Sequence, residues 1–314
     1  MPLIVKAKSG PVTASKPPTE EKPKLVVTPK PKPVFAPLSL SLSEPVKDVD
    51  KLIWLFYGER KIGKTSLAAQ FPNAWFAMFE PGGSGLRIRS NEIPNWETFL
   101  YYHAEVLKSD IKTVVIDTID IAYDRCQDWV CSNMGIEHPT DAGYGKGWDA
   151  VRKEFYKRIE ELALRGRGVV MISHATLQEF ERHTGGTYTK IVPSMGKQAK
   201  AVSSGIADFT GYYGYYGEKR YIVIAGSDEI EAGQRLEEQF WVKDKFIVGQ
   251  YDDGRPKYTG TRIMAIPAGT SAKEAYDNIV VAFNNEQTDS YDVKTSAKLS
   301  DTPAPMKRKQ EDRV

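Results

Sequence analysis

The sequence predicts an α/β protein with a mostly parallel, twisted sheet, covered by helices on both faces and extended by an antiparallel hairpin. Three observations predict it. Apolar runs of strand and helix length alternate from residue 51 onward. A glycine-bearing turn, Gly58-Glu59-Arg60-Lys61-Ile62-Gly63-Lys64-Thr65, stands directly between an apolar strand and a helix. Two runs, residues 209–216 and 221–225, flank Gly217-Glu218-Lys219-Arg220 as the arms of a hairpin would.

Residues 1–47 hold ten of the nineteen prolines and eight lysines against three glutamates. Such a segment cannot bury enough apolar surface to offset its ordering entropy, so it reads as a disordered basic arm. The small apolar island Val34-Phe35-Ala36-Pro37-Leu38 within it is either a docking point for a neighbouring subunit or an ordinary greasy spot in a linker. The folded region is expected over residues 48–285, and the polar residues 286–314, without periodicity, read as a disordered tail.

Ile53-Trp54-Leu55-Phe56-Tyr57 is a buried strand entering the glycine-bearing turn. A short helix over residues 64–71 ends at Pro72, and Trp75-Phe76-Ala77-Met78-Phe79 is the next strand. Trp96, Phe99, Leu100, Ala104 and Leu107 recur at helical spacing, followed by the strand Thr113-Val114-Val115-Ile116. Trp148, Val151, Phe155, Ile159 and Leu162 form one stripe of a longer helix. Arg165-Gly166-Arg167-Gly168 turns that helix into Val169-Val170-Met171-Ile172. Ser271-Ala272-Lys273-Glu274 reads as a capping box opening a last helix through Phe283. Cys126 and Cys131, five apart on a helix with no complementary pair, read as buried free thiols. The net charge of +2 means that any nucleic-acid affinity must come from a local basic patch. No run is long and apolar enough for a membrane span or a secretory signal, so the expected location is cytoplasmic.

The turn Gly58 to Thr65 has the residues that a triphosphate requires. Glycines permit positive φ and close backbone approach, Lys64 faces solvent until it meets the outer phosphates, and Thr65 coordinates Mg²⁺ at the start of a helix whose dipole favours anions. Gly58, Glu59, Arg60, Lys61, Ile62, Gly63, Lys64, Thr65 and Ser66 are therefore the candidate ATP-binding residues. Asp117, closing an apolar strand, is the second candidate Mg²⁺ ligand; Asp120 is the alternative, and otherwise caps a helix beginning at Ile121. Glu80, ending a strand before Pro81-Gly82-Gly83, is the candidate catalytic carboxylate, against a salt-bridged surface residue. His174, ending the strand Met171-Ile172-Ser173-His174, is either a γ-phosphate sensor or a plain strand cap. The stretch 175–200 reads as a long loop whose Arg182, Lys190, Lys197 and Lys200 neutralise DNA phosphates, with Phe180 or Tyr188 stacking on bases. A second loop, residues 135–148, adds Tyr144 and Lys146; for either, a solvated surface insertion is the alternative.

Together these residues resemble the RecA-like recombinase fold, and more closely the phage nucleotide-binding AAA proteins, including the Sak-type single-strand-annealing proteins, over residues 50–240. In RecA-like ATPases the catalytic glutamate follows the strand after the P-loop helix, as Glu80 does here. The resemblance implies a P-loop ATPase using ATP and Mg²⁺ and acting on single-stranded DNA in recombination, annealing or replication, in the host cytoplasm if the chain is of phage origin. It further implies head-to-tail assembly into a ring or filament, with Lys219 and Arg220 at the hairpin tip reaching a neighbour's ATP, and a single-strand-binding protein as a further candidate partner. Histidine stands at position 174 where recombinases usually carry glutamine. A replicative helicase or helicase loader, a DNA-binding module using ATP only as an assembly ligand, and a small-molecule kinase are the competing functions; a kinase would need an Arg-rich lid that the sequence lacks.

Overall fold

Each strand of the central sheet sends successive side chains to opposite faces, and both faces are covered. In the computed structural model the described residues are 46–236, 239–240 and 265–284, together with two strands at 246–250 and 256–259. The apolar island at 34–38 and the tail at 286–314 lie outside them, as does the basic arm except for its last two residues.

The chain runs through β1 (Ile53–Gly58), α1 (Lys64–Ala68), β2 (Ala74–Met78), β3 (Arg89–Glu92), α2 (Trp96–Lys108), β4 (Thr113–Asp117) and α3 (Ile119–Met134). It continues through α4 (Lys146–Leu164), β5 (Gly168–Glu181), β6 (Thr187–Pro193), α5 (Lys197–Ile206), β7 (Phe209–Tyr216), β8 (Lys219–Val223) and β9 (Gly233–Gln234). The last elements are β10 (Phe246–Gln250), β11 (Pro256–Thr259), β12 (Ala265–Pro267) and α6 (Ala272–Phe283). Among the described residues the main sheet has the order β12-β8-β7-β1-β5-β4-β2-β3. The six strands from β7 to β3 are parallel, and β8 and β12 extend the sheet antiparallel. This is the α/β architecture expected, hairpin included. β10 and β11 form a separate antiparallel pair.

The uninterrupted apolar strands follow from the two covered faces. Trp54, Phe56, Phe76, Val115, Val170 and Ile172 pack with α1 and α6 on one face. Leu55, Ala77, Val114, Ile116, Val169 and Met171 pack with α2 to α5 on the other. Asn95 caps α2 by accepting from the Thr98 amide at 2.9 Å. Ser271 caps α6 by accepting from the Glu274 amide, and the Glu274 carboxylate accepts from the Thr270 amide at 2.8 Å. Cys126 and Cys131 are free and buried.

Three expectations are corrected. α1 is shorter than residues 64–71, because after Ala68 the chain tightens into i to i−3 turns at Gln70 and Phe71 before Pro72. α3 begins at Ile119 rather than Ile121, with Thr118 at the cap position, so Asp120 lies inside the first turn and is not the N-cap. The largest correction concerns 175–200, which is not a long loop. β5 continues past the sheet and pairs antiparallel with β6 from Ala175↔Pro193 to Glu181↔Thr187; α5 follows. The ribbon turns at Gly185 and Gly186, both at positive φ, with the Arg182 amide donating to the Gly186 carbonyl. Its run Thr187-Tyr188-Thr189-Lys190-Ile191-Val192 is rich in β-branched and aromatic residues. The ribbon escapes an apolar periodicity search because most of its side chains face solvent.

Gly168 starts β5 against the backbone before β1, and a Cβ there would lie 1.9 Å from the Asp50 carbonyl oxygen. Backbone cannot yield as a side-chain tip can, so Gly168→Ala should destabilise the fold by about 1–3 kcal/mol. Equilibrium urea unfolding checks this; an unchanged midpoint would show that the two segments do not meet.

Candidate active site

Parallel strands in register bring their carboxyl ends to one edge, where ligands of open α/β sheets bind. Gly58 pairs with His174, Asp117 with Ile172, and Met78 with Asp117, so the turns after β1, β2 and β4 and the middle of β5 meet there. A cleft of about 490 Å³ opens at this edge, lined among others by Arg60, Lys61, Gly63, Lys64, Thr65, Ser66, Glu80, Asp117 and His174.

The loop from Gly58 to Lys64 takes its shape from two positive-φ residues, Lys61 (64°) and Gly63 (112°). Gly58 serves differently. It has no positive φ, but a Cβ there would lie 2.0 Å from the Tyr213 carbonyl oxygen, so glycine lets β7 close on the loop entrance. Gly58, Glu59 and Ile62 do not line the cleft; Glu59 contributes its carbonyl and Ile62 packs into the core.

Lys64 is not solvent-facing, contrary to expectation. It is 6% exposed, and its Nζ donates to the carbonyls of Gly58 (2.9 Å) and Glu59 (2.7 Å). Burial lowers its pKa to about 8, opposed by the carboxylates of Asp117, Glu80 and Asp120. Thr65 Oγ1 donates to Asp117 Oδ2 at 2.8 Å, joining the loop to the end of β4. Burial raises the Asp117 pKa, the Thr65 hydrogen bond opposes that, and Glu80 adds to it. A hydroxyl and a carboxylate at the bottom of a phosphate-sized cleft form the hard-oxygen donor set to which Mg²⁺ is suited, since that ion takes its remaining ligands from phosphate and water.

Glu80 Oε1 lies 3.3 Å from His174 Nε2, with both side chains partly shielded. His174 Nδ1 is buried with no hydrogen-bond partner among the described residues. Contrary to expectation, the histidine does not end its strand: β5 runs on unbroken for seven residues into the ribbon. Sequence reasoning missed the wall formed by Gly85 and Leu86, for which no motif signals.

The remaining candidates divide. Arg220 lies on β8, not at a free tip, and is folded back on its own chain: Nη1 donates to the Ile62 carbonyl at 3.4 Å and Nη2 to the Gly269 carbonyl at 3.0 Å. Within the chain it therefore braces the phosphate loop in cis; Lys219 beside it is exposed. Arg182 pairs with Asp228 at 3.1 Å and lies over the Tyr188 ring, which stacks on Phe180. Lys200 lies in α5 and pairs with Glu231 at 2.5 Å, so it is already neutralised. Lys190 is on the ribbon opposite Gln178, and Lys197 is the exposed first residue of α5.

The sequence profile of the AAA domain matches residues 50–236. The chain belongs to the AAA domain family. This AAA domain thus spans the cleft, the ribbon and the hairpin, and it is a P-loop nucleotide-binding domain of the ATP-binding AAA type. Among solved structures it is similar to a KaiC-like protein, PH0186, from the hyperthermophilic archaeon Pyrococcus horikoshii OT3, at 15% identity and a TM-score of 0.39, over 71% of this chain and 88% of that one. No curated protein matches the chain by sequence. No helix among the described residues is long and apolar enough to cross a membrane.

Phosphate favours the charged form of Lys64, whereas burial in the free protein favours the neutral one. Between about pH 8 and the ordinary lysine value of 10.5, nucleotide binding should therefore take up protons, and affinity should fall as pH rises through this window. Calorimetry at pH 9 in buffers of differing ionisation enthalpy measures the uptake; none at all would mean that Lys64 is fully charged before the nucleotide arrives.

Proposed function

We propose that this AAA domain binds ATP with Mg²⁺ in the cleft, hydrolyses it, and uses the nucleotide state to control single-stranded DNA held by the ribbon, in recombination, annealing or replication. The observation that carries the reading is a continuous path. Lys64 and the Thr65–Asp117 pair face the same cleft as Glu80, Glu80 contacts His174, and His174 belongs to the strand that becomes one arm of the ribbon.

Lys64 would exchange its two carbonyl partners for phosphate oxygens, and Thr65 and Asp117 would hold the metal. Mg²⁺, when bound, neutralises charge on the β- and γ-oxygens. Glu80 orients the attacking water and accepts its proton, and His174 fixes the carboxylate in place. On the ribbon, Phe180, Tyr188, Gln178 and Lys190 share one face, because Gln178↔Lys190 and Phe180↔Tyr188 are cross-strand pairs two residues apart. Aromatic rings beside cations are suited to single strands, whose bases stack while lysine and arginine neutralise phosphates. Head-to-tail assembly on the strand belongs to the same reading.

Glu80→Gln should lower ATP turnover by about 10²–10⁴-fold while leaving nucleotide affinity nearly unchanged. Single-stranded DNA should stimulate wild-type turnover, and Lys190→Ala should weaken DNA binding with a salt slope shallower by about 0.7. Steady-state ATPase assays with and without DNA, and binding titrations across salt, check both parts; turnover indifferent to Glu80→Gln would remove the hydrolytic role. DNA that neither binds nor stimulates would remove the DNA role.

A further inference from the structure

A second cavity of about 490 Å³ lies where α3, the start of α4 and the first turn of α5 meet. Its α3 wall carries Asp120, Tyr123, Asp124 and Gln127, which share one helix face by their spacing. Trp148 of α4 forms another wall, and Gly196 with Lys197 and Gln198 at the start of α5 forms the third.

The cavity has both signs of charge. Asp120 and Asp124 present carboxylates, whereas Lys197 presents an ammonium at the start of the ten-residue helix α5. That helix has no side-chain cap and no acid in its first turn, so its leading amides are open to an anion. A simple anion would meet the two carboxylates, and a simple cation would meet Lys197. A ligand with an anionic group at one end, a flat ring and hydrogen-bond donors at the other satisfies all three walls.

The geometry points to this cavity as the seat of one nucleotide of a single strand. Its phosphate lies on Lys197 and the first-turn amides of α5, its base lies against Trp148, and the exocyclic amino group of the base donates to Asp120 and Asp124. Carboxylates accept well from the amino group of cytosine and are repelled by the carbonyl that thymine has in its place. The size suits a small ligand. Two links join the cavity to the nucleotide cleft: the field of Asp120 reaches Lys64, and the backbone amide of Ser194, a lining residue, donates to the His174 carbonyl at 2.7 Å. The inference rests on the single-stranded DNA reading and adds to it a site that discriminates between bases.

The test is the affinity of the full chain, with a non-hydrolysable ATP analogue, for labelled oligo(dC) and oligo(dT) of equal length at pH 7.5, read by fluorescence anisotropy. Oligo(dC) should bind about tenfold more tightly. Asp124→Asn, at an exposed position, should abolish that preference, because an amide can donate to thymine as readily as it accepts from cytosine. Lys197→Ala should weaken both oligomers and make the salt slope shallower by about 0.7. Equal affinity for the two oligomers, with no response to either substitution, would overturn the cavity assignment and leave the ribbon as the DNA site. Failure to bind either oligomer would overturn the DNA reading itself, and this inference with it.

Discussion

The hydrogen bond from Thr65 to Asp117 joins two segments that are 52 residues apart, the phosphate loop and the end of β4. Both residues are at the carboxyl edge because β1 and β4 run parallel on either side of β5. A parallel arrangement puts all the strand exits at one end, so the groups that follow each strand are collected there. The same Asp117 carboxylate is the foremost of those that favour the charge on Lys64.

The electrostatics of the cleft follow from crowding ionisable groups into a partly dry space. Lys64 is pushed towards neutrality by burial while Asp117, Glu80 and Asp120 hold it charged. Asp117 is pushed towards protonation by burial and held back by the Thr65 hydrogen bond. Such opposing shifts leave a site whose charges are incompletely satisfied until phosphate and a cation enter, an electrostatic condition that favours anion binding. Arg220 completes the frame from the other side by fastening the Ile62 carbonyl to the segment before α6.

β5 is the element that gives the domain its reach. Its first half is buried between β1 and β4, and its second half leaves the sheet as one arm of the ribbon. His174 and Phe180 thus belong to one continuous strand. Arg182 and Lys200 are held by Asp228 and Glu231, which leaves Lys190 and Lys197 as candidate cations with no ion pair among the described residues.

The sequence by itself determined the phosphate loop, the succession of the main buried strands along the chain and the positions of Asp117 and Glu80. Each depends on a local pattern: eight residues between a strand and a helix, an apolar run with a carboxylate at its end, a strand broken by Pro-Gly-Gly. The spacing of Trp148, Val151 and Phe155 likewise sufficed for α4, because a buried helix face repeats within the helix itself. Only the tertiary structure decided that Lys64 is buried, that Glu80 meets His174, that Arg220 returns to its own loop, and that 175–200 is a ribbon and a helix rather than a loop. These depend on which distant residues lie side by side: Gly58 with His174, Ala175 with Pro193, Arg220 with Ile62. Register between segments separated by many residues leaves no periodic trace in either one, and a ribbon in which only Val192 and Pro193 are buried lacks the apolar alternation that would betray a strand.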